Sequence, residues 1–127
     1  MSLEKMPALL QAHDVYFQMA HDCSLEKFDR VFHESCSLFD TDDGVLTVVP
    51  IADYREVIAN RVSPKSAGKP REDELVSVDF LSPHTAVTRV RLRIHDKVFI
   101  DHLSWADVDG RFMIVAKVWH DVTPVNG

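Results

Sequence analysis

The apolar positions of this chain fall into two regimes that meet near Glu74. Before it, apolar residues recur at helical spacing. After it, they run in β-rich stretches interrupted by short turns. Over residues 4–22 the repeat is Leu9/Leu10, His13, Tyr16/Phe17 and Ala20, which predicts a helix. Ser24 is suited to cap a second helix whose apolar positions are Leu25, Phe28, Val31/Phe32 and Cys36. Leu38–Thr41 and Val45–Val49 flank Asp42-Asp43-Gly44 and read as a short hairpin. Pro50 fits the first position of a third helix, where its missing N–H would have no partner anyway, with Tyr54, Val57/Ile58 and Arg61 along one face. Ser63–Arg71, with two prolines and a glycine, reads as a loop.

The second regime predicts four strands, Leu75–Leu81, Thr85–Ile94, Val98–Val108 and Arg111–His120. The last two are joined by Asp109-Gly110, the dipeptide that best accommodates the two positive φ angles of a type I′ turn. A two-residue turn also sets a register. Counted from it, Val108 faces Arg111, Trp105 faces Ile114, Leu103 faces Ala116, Asp101 faces Val118 and Phe99 faces His120. One face then carries Phe99, Leu103, Trp105, Phe112, Ile114, Ala116 and Val118, with Asp101 and His120 among them. The other carries Ile100, His102, Met113, Val115, Lys117 and Trp119, which is too apolar for open water. The preceding strand puts Thr88, Val90, Leu92 and Ile94 on the Asp101 face and Arg89, Arg91 and Arg93 on the opposite one. The order helix, helix, hairpin, helix, four-strand meander predicts an α+β domain, three N-terminal helices packed on an antiparallel sheet (α-α-β-β-α-β-β-β-β). One domain is expected over residues 1–127, ordered from about residue 5 to 121, with Asp121–Gly127 a loose tail.

Composition changes this picture little: 46% hydrophobic and 27% charged residues are ordinary for a globular protein. The net charge of −6 argues against a nucleic-acid partner. No apolar run approaches a membrane span, and Met1–Lys5 does not open a signal peptide. Cys23 and Cys36 lack metal or redox spacing, so a cytoplasmic protein with free thiols is expected. No metal or cofactor motif stands out among the seven histidines, and there is no Gly-rich phosphate loop or nucleophile elbow.

The run Phe99-x-Asp101-x-Leu103-Ser104-x-x-x-Val108-Asp109-Gly110-Arg111-Phe112-x-Ile114-Val115-x-Lys117-Val118-Trp119-His120 resembles the nuclear transport factor 2-like superfamily, as do Phe32-His33-Glu34 and Val49-Pro50. Within it the likeness is to the group called "putative lumazine-binding", over roughly residues 5–120, with SnoaL-like and ketosteroid-isomerase-like members sharing the fold. The resemblance implies a strongly curved, cystatin-like cone with a pocket between sheet and helices, commonly dimeric. It leaves the activity open, since members include isomerases, dehydratases, binding proteins and adaptors.

Asp101 is the sharpest candidate for chemistry. A carboxylate on an apolar face is paired, protonated or set in a water-filled pocket, and in the last case it is placed to act as a general base. The count places His120 one diagonal step away, within reach for a proton shuttle. Tyr16 and Tyr54 offer phenol groups, His33 and His13 sit near faces that should meet the sheet, and Phe99, Leu103, Trp105, Phe112 and Val118 would wall a ligand site. Each also has a plain structural reading as core. Arg89, Arg91, Ile100, Met113, Val115 and Trp119 form an outer patch that suits sheet-to-sheet homodimerisation. Three functions are compatible with these residues. One is binding of a small, largely apolar or aromatic ligand, pterin-like as the family name hints. Another is a cofactor-independent isomerase or dehydratase with Asp101 as base, and the third a dimerisation adaptor.

Overall fold

The computed structural model of the chain describes residues 2–124. A 3-10 turn, Ser2–Lys5, leads into α1 (Met6–Asp22) and α2 (Leu25–Val31), then β1 (Phe32–Asp40), β2 (Thr47–Pro50) and α3 (Ile51–Asn60). Four long strands follow: β3 (Asp73–Ser82), β4 (Thr85–Ile94), β5 (Lys97–Val108) and β6 (Arg111–Asp121). This is the expected element order.

The strands form one open sheet in the order β2-β1-β6-β5-β4-β3. Every ladder is antiparallel except β1 with β6, which is parallel and makes the sheet mixed. The expected all-antiparallel meander therefore covers β3 to β6. The β1 strand crosses to the far side of β6, a long-range pairing that no local pattern reports.

Helix α1 buries Leu9, Ala12, His13, Tyr16, Phe17 and Ala20 on its sheet-facing stripe and ends at Cys23, whose left-handed conformation (φ 57°) turns the chain out. The Ser24 hydroxyl caps α2 by accepting from the Lys27 N–H at 3.3 Å. That helix stops at Val31 because Phe32 is already extended (φ −99°, ψ 127°). The expected continuation to Cys36 is thus corrected: Phe32–Cys36 belongs to β1, where backbone pairing to β6 outweighs helical spacing of the side chains. The loop after α3 is pinned by the Lys65 N–H donating to the His21 carbonyl at 2.9 Å. The tail keeps pairing beyond β6, with the Val122 N–H on the Val98 carbonyl at 2.8 Å, and the rest of the expected loose tail, residues 125–127, lies outside the described residues.

The β5–β6 turn is as expected, with Asp109 at φ 53° and Gly110 at φ 86°. Its register holds only as far as Trp105↔Ile114. Val115 is then an extra residue on β6, and beyond this bulge Ser104 faces Ala116, Leu103 faces Lys117, Asp101 faces Trp119 and Ile100 faces His120. Because side chains alternate with period two, a one-residue slip turns every later side chain of β6 to the other face. Lys117 and Trp119 therefore point toward the helices, while Val118 (50% exposed) and His120 point away. The positions on β4 are as expected, with Thr88, Val90 and Leu92 buried and the three arginines exposed. The core fills the space between α1, α2 and the inner sheet face, around Leu9, Phe28, Val90, Leu103, Trp105 and Ile114.

Candidate functional site

A cavity of about 240 Å³ opens between α1, α3 and the concave face of the sheet. Its floor is built from buried residues of separate elements: Tyr16 and Met19 of α1, Leu38 of β1, Leu92 of β4, Asp101 of β5 and Lys117 of β6. Half-buried Val49, Tyr54, Arg61, Ile94, Phe99 and Trp119 complete the walls and rim. Phe99 and Trp119, from neighbouring strands, meet edge to face with ring centroids 5.7 Å apart.

One polar cluster sits in this apolar well. The Tyr16 hydroxyl donates to Asp101 Oδ2 at 2.6 Å, a short charge-assisted bond. Lys117 Nζ lies 3.6 Å from the same oxygen and over the Tyr16 and Tyr54 rings, 5.4 and 5.0 Å from their centroids. Asp101 and Lys117 are 1% and 7% exposed, so each charge has exchanged its water for the other and for these two rings. Burial alone pulls the Lys117 ammonium down, but the Asp101 carboxylate and then the Tyr54 hydroxyl hold it above its ordinary value. Burial and then the adjacent Asp101 charge push the Tyr16 phenol well up, so it stays a proton donor. Asp101 Oδ1 is buried with no hydrogen-bond partner among the described residues.

Of the residues singled out by sequence, Asp101, Tyr16, Tyr54 and Phe99 meet at this cavity. The others do not. His120 was expected beside Asp101; the bulge carries it to the outer face, where its Nδ1 contacts Asp42 Oδ1 at 2.5 Å. Val118 is outward for the same reason. Leu103, Trp105 and Phe112 are buried in core that does not line the cavity. His33 lies on β1, paired with Ser35 at 2.8 Å. His13 has a structural place: its Nδ1 meets the Leu9 carbonyl and its Nε2 the Thr88 hydroxyl, both at 2.8 Å. Thr88 Oγ1 also accepts from the Trp105 indole N–H at 2.9 Å, and burial lowers the His13 pKa. On the expected outer patch, Met113 is buried and Trp119 lines the cavity, so neither is available to a partner. Sequence reasoning missed Lys117 and Trp119 at the site. No local signal marks the slip, which falls within the apolar run Phe112–Val115.

Among the described residues no group of three His, Cys, Asp or Glu side chains is placed to hold a metal ion, and no helix is long and apolar enough to cross a membrane. Cys23 and Cys36 are free, and burial pushes the Cys36 thiol up to about 11.

Residues 4–120 match the family described as "Putative lumazine-binding". The chain belongs to this family. The fold is shared with a nuclear transport factor 2-like protein of unknown function from Shewanella baltica OS155 (21% identity, TM-score 0.84, 98% of each chain covered). It is shared likewise with one from Silicibacter pomeroyi DSS-3 (18%, TM-score 0.82, 95% of this chain and 98% of that one). A ketosteroid isomerase-like protein from Erwinia carotovora atroseptica SCRI1043 also superposes (10%, TM-score 0.73, 95% and 98%). No curated protein matches the sequence. This member of the family thus has the nuclear transport factor 2-like fold, three helices against an unclosed sheet with the cavity between them.

Proposed function

We propose that this chain binds a small, largely apolar or aromatic molecule in the cavity. The carrying observation is the composition of its walls: aliphatic and aromatic side chains around a single buried polar cluster, the general make-up of small-molecule sites. A cavity of about 150 Å³ holds benzene, so about 240 Å³ suits a fused two-ring molecule. The lumazine of the family description is of that class. Tyr16, Tyr54, Phe99, Asp101, Lys117 and Trp119 are the assigned contacts, with the ring between the aromatic walls and its polar edge toward Asp101 and Lys117. Titration with lumazine, followed by quenching of Trp119 emission in a Trp105→Phe background, tests this. Saturable quenching that Tyr54→Ala weakens is the expected result; no saturable change for lumazine or other two-ring heterocycles would refute it.

A second reading, a cofactor-independent isomerase or dehydratase with Asp101 as general base, draws on the unpartnered Asp101 Oδ1. Against it, Oδ2 is already engaged by both Tyr16 and Lys117. Turnover of a bound ligand that Asp101→Asn abolishes would favour it. Homodimerisation through the outer face remains part of the proposal, carried now by Arg89, Arg91, Ile100 and Val115 together with Val87 and Val118.

A further inference from the structure

Three charged side chains line the cavity: Asp101, Lys117 and Arg61. The first two face each other at 3.6 Å and cancel. Arg61 is left over. It follows α3 as its C-cap residue, half-buried at the cavity rim, and no described carboxylate lies within ion-pair distance of it. The arginines outside the cavity that pair with acids do so on the surface, Arg55 with Asp29, Arg71 with Asp73 and Arg93 with Glu72. A chain of net charge −6 has acids to spare, yet it leaves this cavity with a net charge of +1, counted as Lys117 and Arg61 against Asp101. A cation after a helix C-terminus also interacts with the helix dipole, but that requires no place on a cavity wall. Its field reaches the floor, where it opposes, without reversing, the upward shifts of Tyr16 and Lys117. A positive, mostly apolar cavity in an acidic protein is matched to an apolar molecule bearing one negative charge.

On this basis, and resting on the binding reading above, we propose that the ligand is an aromatic organic acid, its ring against Phe99 and Trp119 and its carboxylate held by the Arg61 guanidinium at the rim. Arginine presents a planar fork that matches a carboxylate with two parallel N–H···O bonds.

The test compares 2-naphthoate with its neutral isostere 2-naphthamide by calorimetric titration of wild type, Arg61→Met and Arg61→Lys. Wild type should bind the acid at least about tenfold more tightly than the amide, a difference of about 1.4 kcal/mol. Arg61→Met should remove that preference by weakening the acid far more than the amide, and Arg61→Lys, which keeps the charge, should retain part of it. Equal affinity of wild type for the two probes, or a preference that survives in Arg61→Met, would overturn the inference and leave the binding reading standing. Failure of both probes to bind wild type that still binds lumazine would overturn the inference alone; failure of all three ligands would overturn the two together.

Discussion

Replacing Asp101 by Asn keeps the side chain's shape and leaves an oxygen to accept from the Tyr16 hydroxyl, so what it removes is the charge opposite Lys117. At 3.6 Å the attraction between those charges is about 4–5 kcal/mol at an effective dielectric near 20. Breaking one partner of a buried pair costs about 3–5 kcal/mol, because the other charge stays buried and uncompensated. For a chain of this length that is a fall in melting temperature of roughly 10–20 °C. Lys117→Met should cost a similar amount for the mirror reason. The double variant should recover most of the loss, since two neutral side chains of similar volume leave no charge to desolvate. A double-mutant cycle read by thermal and urea unfolding should give a coupling at least as large as either single loss, about 3–5 kcal/mol, because the double variant costs less than either single one. The pH dependence adds a sign. In wild type the raised Lys117 pKa contributes stability that is intact below the unfolded lysine value and is lost only as pH rises through the folded one. In Asp101→Asn the main opposition to burial is gone and that pKa falls, so the variant gains stability as pH rises from 7 toward 10 and its deficit narrows. Additive single-variant effects, or a deficit independent of pH, would refute the view that this pair is charged and coupled.

Three further outcomes follow from the geometry. Burial lowers the His13 pKa, so the unfolded chain binds more protons; stability should be present above about pH 6.5 and lost as pH falls toward the folded value, and His13→Gln should flatten the pH 5–7 part of the unfolding profile. Gly110 at φ 86° tolerates a side chain poorly, so Gly110→Ala should destabilise by about 1 kcal/mol in urea unfolding, with no change in ligand affinity. If a second copy covers the outer face, sedimentation velocity should show a dimer at micromolar concentration that Val118→Glu converts to monomer without altering the far-ultraviolet circular dichroism, whereas a monomeric wild type would contradict that surface.

Much of the fold was legible because its signals are local: the 3–4 spacing of α1, the Ser24 cap, the Asp-Gly turn and the alternation of β4. Two features were not. Phe32–Cys36 satisfies helical spacing on paper, and only pairing with a strand some eighty residues later makes it extended. The Val115 bulge hides in Phe112-Met113-Ile114-Val115, four apolar residues in a row, where a slip leaves no mark because neither face is polar. The site divides along the same line. Asp101, Tyr16, Tyr54 and Phe99 sit before the bulge or on helices and were found. Lys117, Trp119 and His120 follow it on β6, and each was assigned to the wrong face.

Filling the cavity is the most direct examination of whether a ligand belongs there. Ala20 lines it and is nearly buried, so Ala20→Leu places a larger apolar side chain into the space without touching Asp101, Lys117 or Arg61. The lumazine and 2-naphthoate affinities should fall at least about tenfold while the melting temperature holds or rises, as cavity-filling changes commonly do. Unchanged affinity in a folded Ala20→Leu protein would mean that these ligands bind elsewhere, and the cavity would then be core rather than site.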